Sequence, residues 1–199
     1  MHAALTALDT TLSPFWTRRT PWMVTGARAT ALAHEVTSGD RVSLAAVLCA
    51  ADGMATASLA REIGVLECLA LQPSVLPLLG SGRAAGCLYA VTPCTDGVSL
   101  AEELTREGPL PADEVLTQVI ALADLLHFMH GAGIAHGAVS AHVMYRIGRT
   151  VRLGGFHGAV RLASAPDTAE CIAADLHALV QTACFLLTAG VRPDVAARW

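Results

Sequence analysis

Lysine and asparagine are absent from this chain of 199 residues, and arginine alone supplies its 13 cationic side chains. Both missing residues have AT-rich codons, so a high-GC genome is the simplest source of the bias. Selection against lysine to escape ubiquitin conjugation in a host cell is the functional alternative. Charge of either sign is scarce, at 15% of residues with a net of -4. That balance offers no basic field to nucleic acid or to an acidic membrane surface, so neither is an expected partner. The six cysteines, at 49, 68, 87, 94, 171 and 184, include no C-x-x-C pair, which excludes zinc-ribbon and thioredoxin-type spacing. They read as small buried hydrophobes in a reducing compartment. No signal peptide is recognisable ahead of them. The expected location is therefore intracellular and cytoplasmic, in a bacterium or in a host cell if the chain is viral. The longest apolar run, Ala178 to Val191, is broken by Gln181 and Thr182 and falls short of the ~20 residues that span a bilayer.

Apolar residues, by contrast, make up 53% of the chain. This is more than a soluble monomer needs, and part of that surface is expected to meet a partner. The length suits one domain or two small lobes with a sizeable core. Residues 1–20 carry Trp16 and Arg18-Arg19 without a clear period and read as an N-terminal extension. Val42 to Leu48 is a compact apolar run between turn signals, the pattern of a buried strand. Leu59, Ile63, Leu66 and Leu69 fall on one helical face. Cys87 to Thr92 reads as a strand, and Thr95-Asp96-Gly97 as a turn. Ser99 opens a short capped helix. Val115, Val119, Leu122, Leu126 and Met129 then predict a long helix over 112–130, closed by Gly131 and Gly133. Short paired strands around 134–155 and a last helix over 172–188 complete the order.

The densest pattern is His136-Gly-Ala-Val-Ser-Ala-His-Val-Met-Tyr145 followed by Val151-Arg-Leu-Gly-Gly-Phe-His-Gly158. It resembles the active-site loops of protein kinases, where H-R-D-L-x-x-x-N precedes a short strand ending in D-F-G. The H-G-x-V-S-A element is similar to the loop of Janus-kinase pseudokinase domains. Ser58-Leu-Ala-Arg-Glu-Ile-Gly-Val-Leu66 resembles kinase helix C, and Leu88-Tyr-Ala-Val-Thr92 the strand entering the hinge. Leu126-His-x-Met-His-x-x-Gly-Ile134 resembles the end of the helix before the catalytic loop. Asp175-Leu-His-Ala-Leu179 through Leu186-Leu-Thr-Ala-Gly190 is similar to helix F. These imperfect matches follow one another in the family's order over roughly residues 22–193.

The resemblance implies an α+β, two-lobed protein-kinase-like fold. Residues 21–95 would form a small antiparallel N-lobe sheet, and residues 96–199 a truncated helical C-lobe. It aligns the catalytic base with Ala138, the magnesium Asn with Val143 and the D-F-G triplet with Gly155-Phe156-His157. None of Ala138, Val143 and Gly155 carries a side-chain oxygen to hold a divalent cation. The strand lysine falls on Ala45 or Ala46, and the glycine-rich loop on Met23 to Thr30, with Gly26 its one glycine. Gly26, Thr92 and Cys94 thus outline a vestigial cleft, with no cofactor and no strong nucleotide binding expected. Glu62, in the helix C position, has no cation from that strand and reads as a solvated carboxylate. His136 is expected to hydrogen-bond backbone beside the loop and the Phe156 turn. Asp175 and His177 are expected to tie the last helix to the same loop by buried hydrogen bonds.

Other chemistries compete for these residues. His127, His130, His136, His142, His157 and His177 invite a metal, but their spacing matches no compact zinc signature. Ser140 beside His136 or His142 lacks the elbow and oxyanion loop of a nucleophilic site. The expectation is a catalytically inactive pseudokinase acting as an allosteric regulator or scaffold. Its partner would be another protein, possibly an active kinase, or a second copy of itself. The alternatives are a transferase of non-standard reaction type using Glu62 and the histidines, and a structural subunit of an assembly. The last helix, apolar around most of its circumference with Leu179, Phe185 and Leu186, is the expected interaction element.

Overall fold

The computed structural model describes residues 1–50, 52–94, 99–147 and 150–189. The expected turn at Thr95-Asp96-Gly97 and the chain from Gly190 onward lie outside the described residues. The fold is mixed α+β and divides into two compact units, Met1–Leu71 with Leu76–Gly97, and Gln72–Val75 with Val98–Trp199.

Unit 1 contains helices α1 (His2–Leu12) and α2 (Gly53–Cys68) and six antiparallel strands. The strands are β1 (Trp16–Arg18), β2 (Met23–Thr25), β3 (Arg28–Glu35), β4 (Arg41–Leu48), β5 (Gly80–Ala84) and β6 (Cys87–Pro93). They run in the order β1-β3-β4-β6-β5, with β2 also paired to β3. The run of apolar residues in β4 exists because the sheet is covered on both faces. Val42, Leu44 and Ala46 pack with Cys87, Val91 and with Leu5, Leu8 and Leu12 of α1. Val47, one residue out of phase, packs with Leu88, Ala90 and with Leu59 and Ile63 of α2. Period-two alternation therefore puts Ala46 on the α1 face and Ala45 on the α2 face.

Residues 1–20, which carry no clear period in sequence, thus supply both α1 and the edge strand β1. The helix is hard to read because Thr6, Thr10 and Thr11 dilute its stripe, their hydroxyls bonding back to carbonyls one turn earlier at 3.0–3.2 Å. Asp9 holds the unit's first segment together, accepting from Trp22 Nε1 at 3.1 Å and pairing with Arg18 at 3.0 Å. At the start of α2, the Asp52 carboxylate accepts the Met54 and Ala55 amides at 2.8 and 3.1 Å, an N-cap.

Unit 2 contains helices α3 (Leu100–Glu107), α4 (Ala112–Gly131) and α5 (Thr168–Thr188). Two short ribbons accompany them, β7 (Ile134–Ala135) with β10 (Val160–Arg161) and β8 (Met144–Ile147) with β9 (Thr150–Leu153). Ser99 and Glu102 form a capping box at α3, and the Ser99 hydrogen bonds hold the Glu102 carboxyl below its ordinary range. Arg146 of β8 forks between Glu103 of α3 at 2.8 Å and Glu114 of α4 at 2.9 Å, pinning the hairpin to both helices. Helix α5 is long and apolar enough to cross a membrane by length and composition, with a mean hydropathy of 1.5 over its most apolar stretch.

The cysteines depart from the expectation of burial. Cys87 is buried in the sheet, whereas Cys49, Cys94 and Cys171 are half-buried and Cys68 and Cys184 exposed. Position on the element, here the outer sides of α2 and α5, decides burial for so small a side chain.

Candidate functional site

The loop from Ile134 to Ala159 is built around one buried carboxylate. Asp175 of α5 is 1% exposed. Its Oδ2 accepts the His136 amide at 2.8 Å and the His130 Nε2 proton at 2.9 Å, and its Oδ1 accepts the Gly137 amide at 2.8 Å. A carboxylate this deep persists because all three donors point at it. The chain turns sharply at Gly137, whose φ is +73° and where a Cβ would stand 2.7 Å from the Gly158 carbonyl oxygen. Phe156 is 1% exposed and meets the His136 ring edge-on, centroids 4.8 Å apart.

His136 has both ring nitrogens committed. Nδ1 accepts the Ala138 amide at 3.2 Å, so Nε2 carries the proton and donates to the Gly154 carbonyl at 3.0 Å. Burial pushes the His136 pKa below its ordinary 6.5, outweighing the opposing pull of the Gly154 carbonyl and of Asp175. The folded chain therefore holds His136 neutral where the unfolded chain binds a proton. Its contribution to stability is complete above 6.5 and is lost as pH falls toward the lowered value. Melting curves between about pH 7 and 5 should thus drop more steeply for the native chain than for His136→Asn. Parallel slopes would contradict this.

None of Ala138, Val143 and Gly155 offers a side-chain oxygen. Ala138 is half-buried with its amide bonded to His136 Nδ1. Val143 ends a short turn, its carbonyl accepting the Gly154 amide at 2.8 Å. Gly155 has a φ of +75°, and a Cβ there would lie 2.5 Å from Val143 Cγ1. The two positions aligned with metal-binding residues are therefore pressed against each other, the Val143 methyl filling the space a side chain at 155 would enter.

In unit 1, Gly26 lies in a two-residue turn between Thr25 and Arg28, which pair across β2 and β3. So tight a hairpin offers little backbone to wrap phosphates. Ala45 is 8% exposed and lies opposite Thr30 and Ala90. Thr92 pairs with Ser43, and the Cys94 amide donates to the Arg41 carbonyl at 2.9 Å. Glu62 corrects the sequence expectation, because its side chain is only 14% exposed and pairs with Arg28 at 2.8 Å. Arg28 lies opposite Val47 on the α2 face of the sheet, so the cation that Glu62 meets comes from β3 and not from β4. A mostly apolar cavity of about 530 Å³ lies against β3, walled by Thr20 to Met23, Thr30 to Leu32 and Ser43, none of them charged.

Among the described residues, no three His, Cys, Asp or Glu side chains gather to hold a metal. His127 is exposed, and His130 belongs to Asp175. His177 is also exposed and bonds to Gln181 along the helix at 2.9 Å, so it plays no part in tying α5 to the loop. Ser140 finds no base in His136, whose ring nitrogens are both engaged elsewhere. On α5, Leu179 and Leu186 face inward at 7% and 0% exposure, and Phe185 is half-buried beside the His142 ring. The exposed apolar positions of that helix are instead Leu176, Val180 and Leu187.

Sequence reasoning named His130 only as a candidate metal ligand, and missed its pairing with Asp175 and that of Arg28 with Glu62. The first could have been found as a histidine sharing a helical face with the buried Met129-Leu126 side, the second as the nearest Arg to the strand lacking lysine. No protein-family model matches the chain, and no curated protein matches it in sequence.

Proposed function

We propose that this chain is a catalytically inactive, protein-kinase-like domain that binds another protein and biases its conformation, as a regulator or scaffold. The observation that carries the reading is the contact between Gly155 and Val143, where even a Cβ would stand 2.5 Å from a methyl carbon. Magnesium-dependent phosphoryl transfer needs oxygen ligands at both positions and a proton acceptor at Ala138. The kinase likeness itself is an analogy of element order and loop wiring. It draws support from the sheet with one helix between β4 and β5, the long α4 before the loop, and the β8–β9 hairpin. The Asp175 clamp on His136 and Gly137 is the other support. Arg28 and Glu62 neutralise each other, leaving that pair no free cation for phosphates. The partner is another protein, possibly an active kinase, or a second copy.

A second reading is a transferase with an unconventional nucleotide site, for which the cavity against β3 offers room but no charged group. Thermal melting separates the two through ligand linkage. With ATP and either magnesium or manganese, the inactive reading expects no shift in Tm. A saturable rise of several degrees would favour the transferase.

A further inference from the structure

Strand β2 pairs with β3 alone, and all three of its residues are exposed. Leu32 of β3 shows which backbone groups face that edge of the sheet: its carbonyl accepts the Arg19 amide at 2.8 Å and its amide donates to Thr20 Oγ1 at 2.9 Å. Bonding alternates along an antiparallel strand, so Thr30 and Arg28 also turn to this edge and bond their register partners Met23 and Thr25. Val24, between those two, therefore turns its N–H and C=O outward. No described residue pairs with them. Val24 is 44% and Met23 72% exposed, and β2 has neither the charge nor the proline that guards a sheet edge. Met23 lies opposite Thr30, and Thr30 opposite Ala45, which puts Met23 on the α2 face. The cavity of about 530 Å³ that Met23 walls lies on that face with Thr30, Leu32 and Ser43. Arg19, next to the cavity wall in sequence, is exposed and has no acidic partner among the described residues, whereas Arg18 is taken by Asp9.

We propose that β2 is a docking edge for an extended segment of a partner protein. The segment adds to the sheet as a further strand, sets a large apolar side chain in the cavity beside Met23 and carries an acid toward Arg19. Free strand groups select extended backbone, because a strand presents its donors and acceptors at the matching spacing. Residues of the added strand opposite Met23 fall on the cavity face, and the uncharged wall there favours an apolar side chain. Arg19 then supplies the charge that a purely apolar contact would lack. A second copy of the chain fits this edge less well. Antiparallel pairing of two β2 strands centred on Val24 sets the copy's Thr25 opposite Met23, a side chain too short to fill the cavity. From Met23 to Thr30 the copy also holds no acid, and it would bring Arg28 instead.

This docking edge rests on the protein-binding reading above and gives the partner its chemistry. Random peptides displayed on phage and selected on the full chain should enrich sequences with an aromatic or large aliphatic residue, an acid to one side of it and no proline between. The enriched peptide, made synthetically, should then be N-methylated at alternate backbone amides in each of the two phases. One phase should bind at least ~10-fold more weakly and the other almost unchanged, since only alternate groups of an added strand face β2. Val24→Pro removes an outward N–H, a change that an edge strand tolerates, and should weaken binding at least ~10-fold with Tm unchanged. The methylated peptides carry the test on the native chain should Val24→Pro fail to fold. Arg19→Glu should weaken the acid-bearing peptide and spare its Gln counterpart. Leu71→Asp, at a position 95% exposed elsewhere in unit 1, should change nothing. No enriched peptide, a peptide indifferent to methylation in both phases, or a dimer in light scattering that Val24→Pro dissolves would overturn the proposal. Melting with ATP and magnesium on the same samples keeps the failures apart: no peptide and no shift overturns the docking edge alone, and peptide binding beside a nucleotide shift overturns the inactive reading alone.

Discussion

Asp175→Ala should remove about 3–5 kcal/mol of stability, the loss typical of breaking a buried charged network from one side. The carboxylate accepts from His136 N, Gly137 N and His130 Nε2 at 2.8–2.9 Å, and the residue is 1% exposed. With alanine there, two backbone amides and an imidazole lose their acceptor, each orphan costing about 1–3 kcal/mol unless the loop rearranges. Rearrangement would unseat the turn at Gly137, so the loop and α5 should loosen together. Asp175→Asn keeps the shape and one acceptor oxygen and should lose less. Urea unfolding of the three proteins gives the order directly. A loss below about 1 kcal/mol for the alanine variant would mean the carboxylate is not the loop's anchor.

Phe156→Ala should cost about 3–5 kcal/mol through the lost transfer energy and the cavity left behind. Phe156 is among the largest fully buried side chains of the chain, and its ring edge supports the His136 imidazole whose two nitrogens organise the loop backbone. Phe156→Leu should cost less, because most of the volume stays filled. A ring that swings as a switch, rather than sitting as core, would show a loss under about 1 kcal/mol in the same denaturant melts.

The elements with strong apolar periodicity were legible in the sequence. The run Val42 to Leu48 lies within β4, Cys87 to Thr92 within β6, and the 112–130 pattern differs from α4 by a single residue at its end. Helix α5 starts four residues before the sequence expectation, because the Asp167 cap is a polar signal inside a polar stretch. Strand β5, with Gly at two of its five positions, offers no alternation to read. Helix α1 was hidden by its threonines, and its role appears only when Leu5, Leu8 and Leu12 are seen packed on the back of β4.

At the site, residue types alone show that Ala138, Val143 and Gly155 carry no side-chain oxygen. That a Val143 methyl stands where a side chain at 155 would enter appears only in the folded chain. The Arg28–Glu62 pair was illegible for a different reason. Its members are 34 residues apart, and nothing local says that a β3 arginine shares a face with α2.

Transfer of phosphate from ATP to the protein itself or to a generic protein substrate, with magnesium present and a heat-killed sample as control, tests the central claim most directly. Incorporation should equal the control, and Ala138→Asp should not raise it, because base and metal ligands act as a unit and Val143 and Gly155 remain unable to bind metal. Magnesium-dependent incorporation above the control by the native chain would contradict an inactive domain.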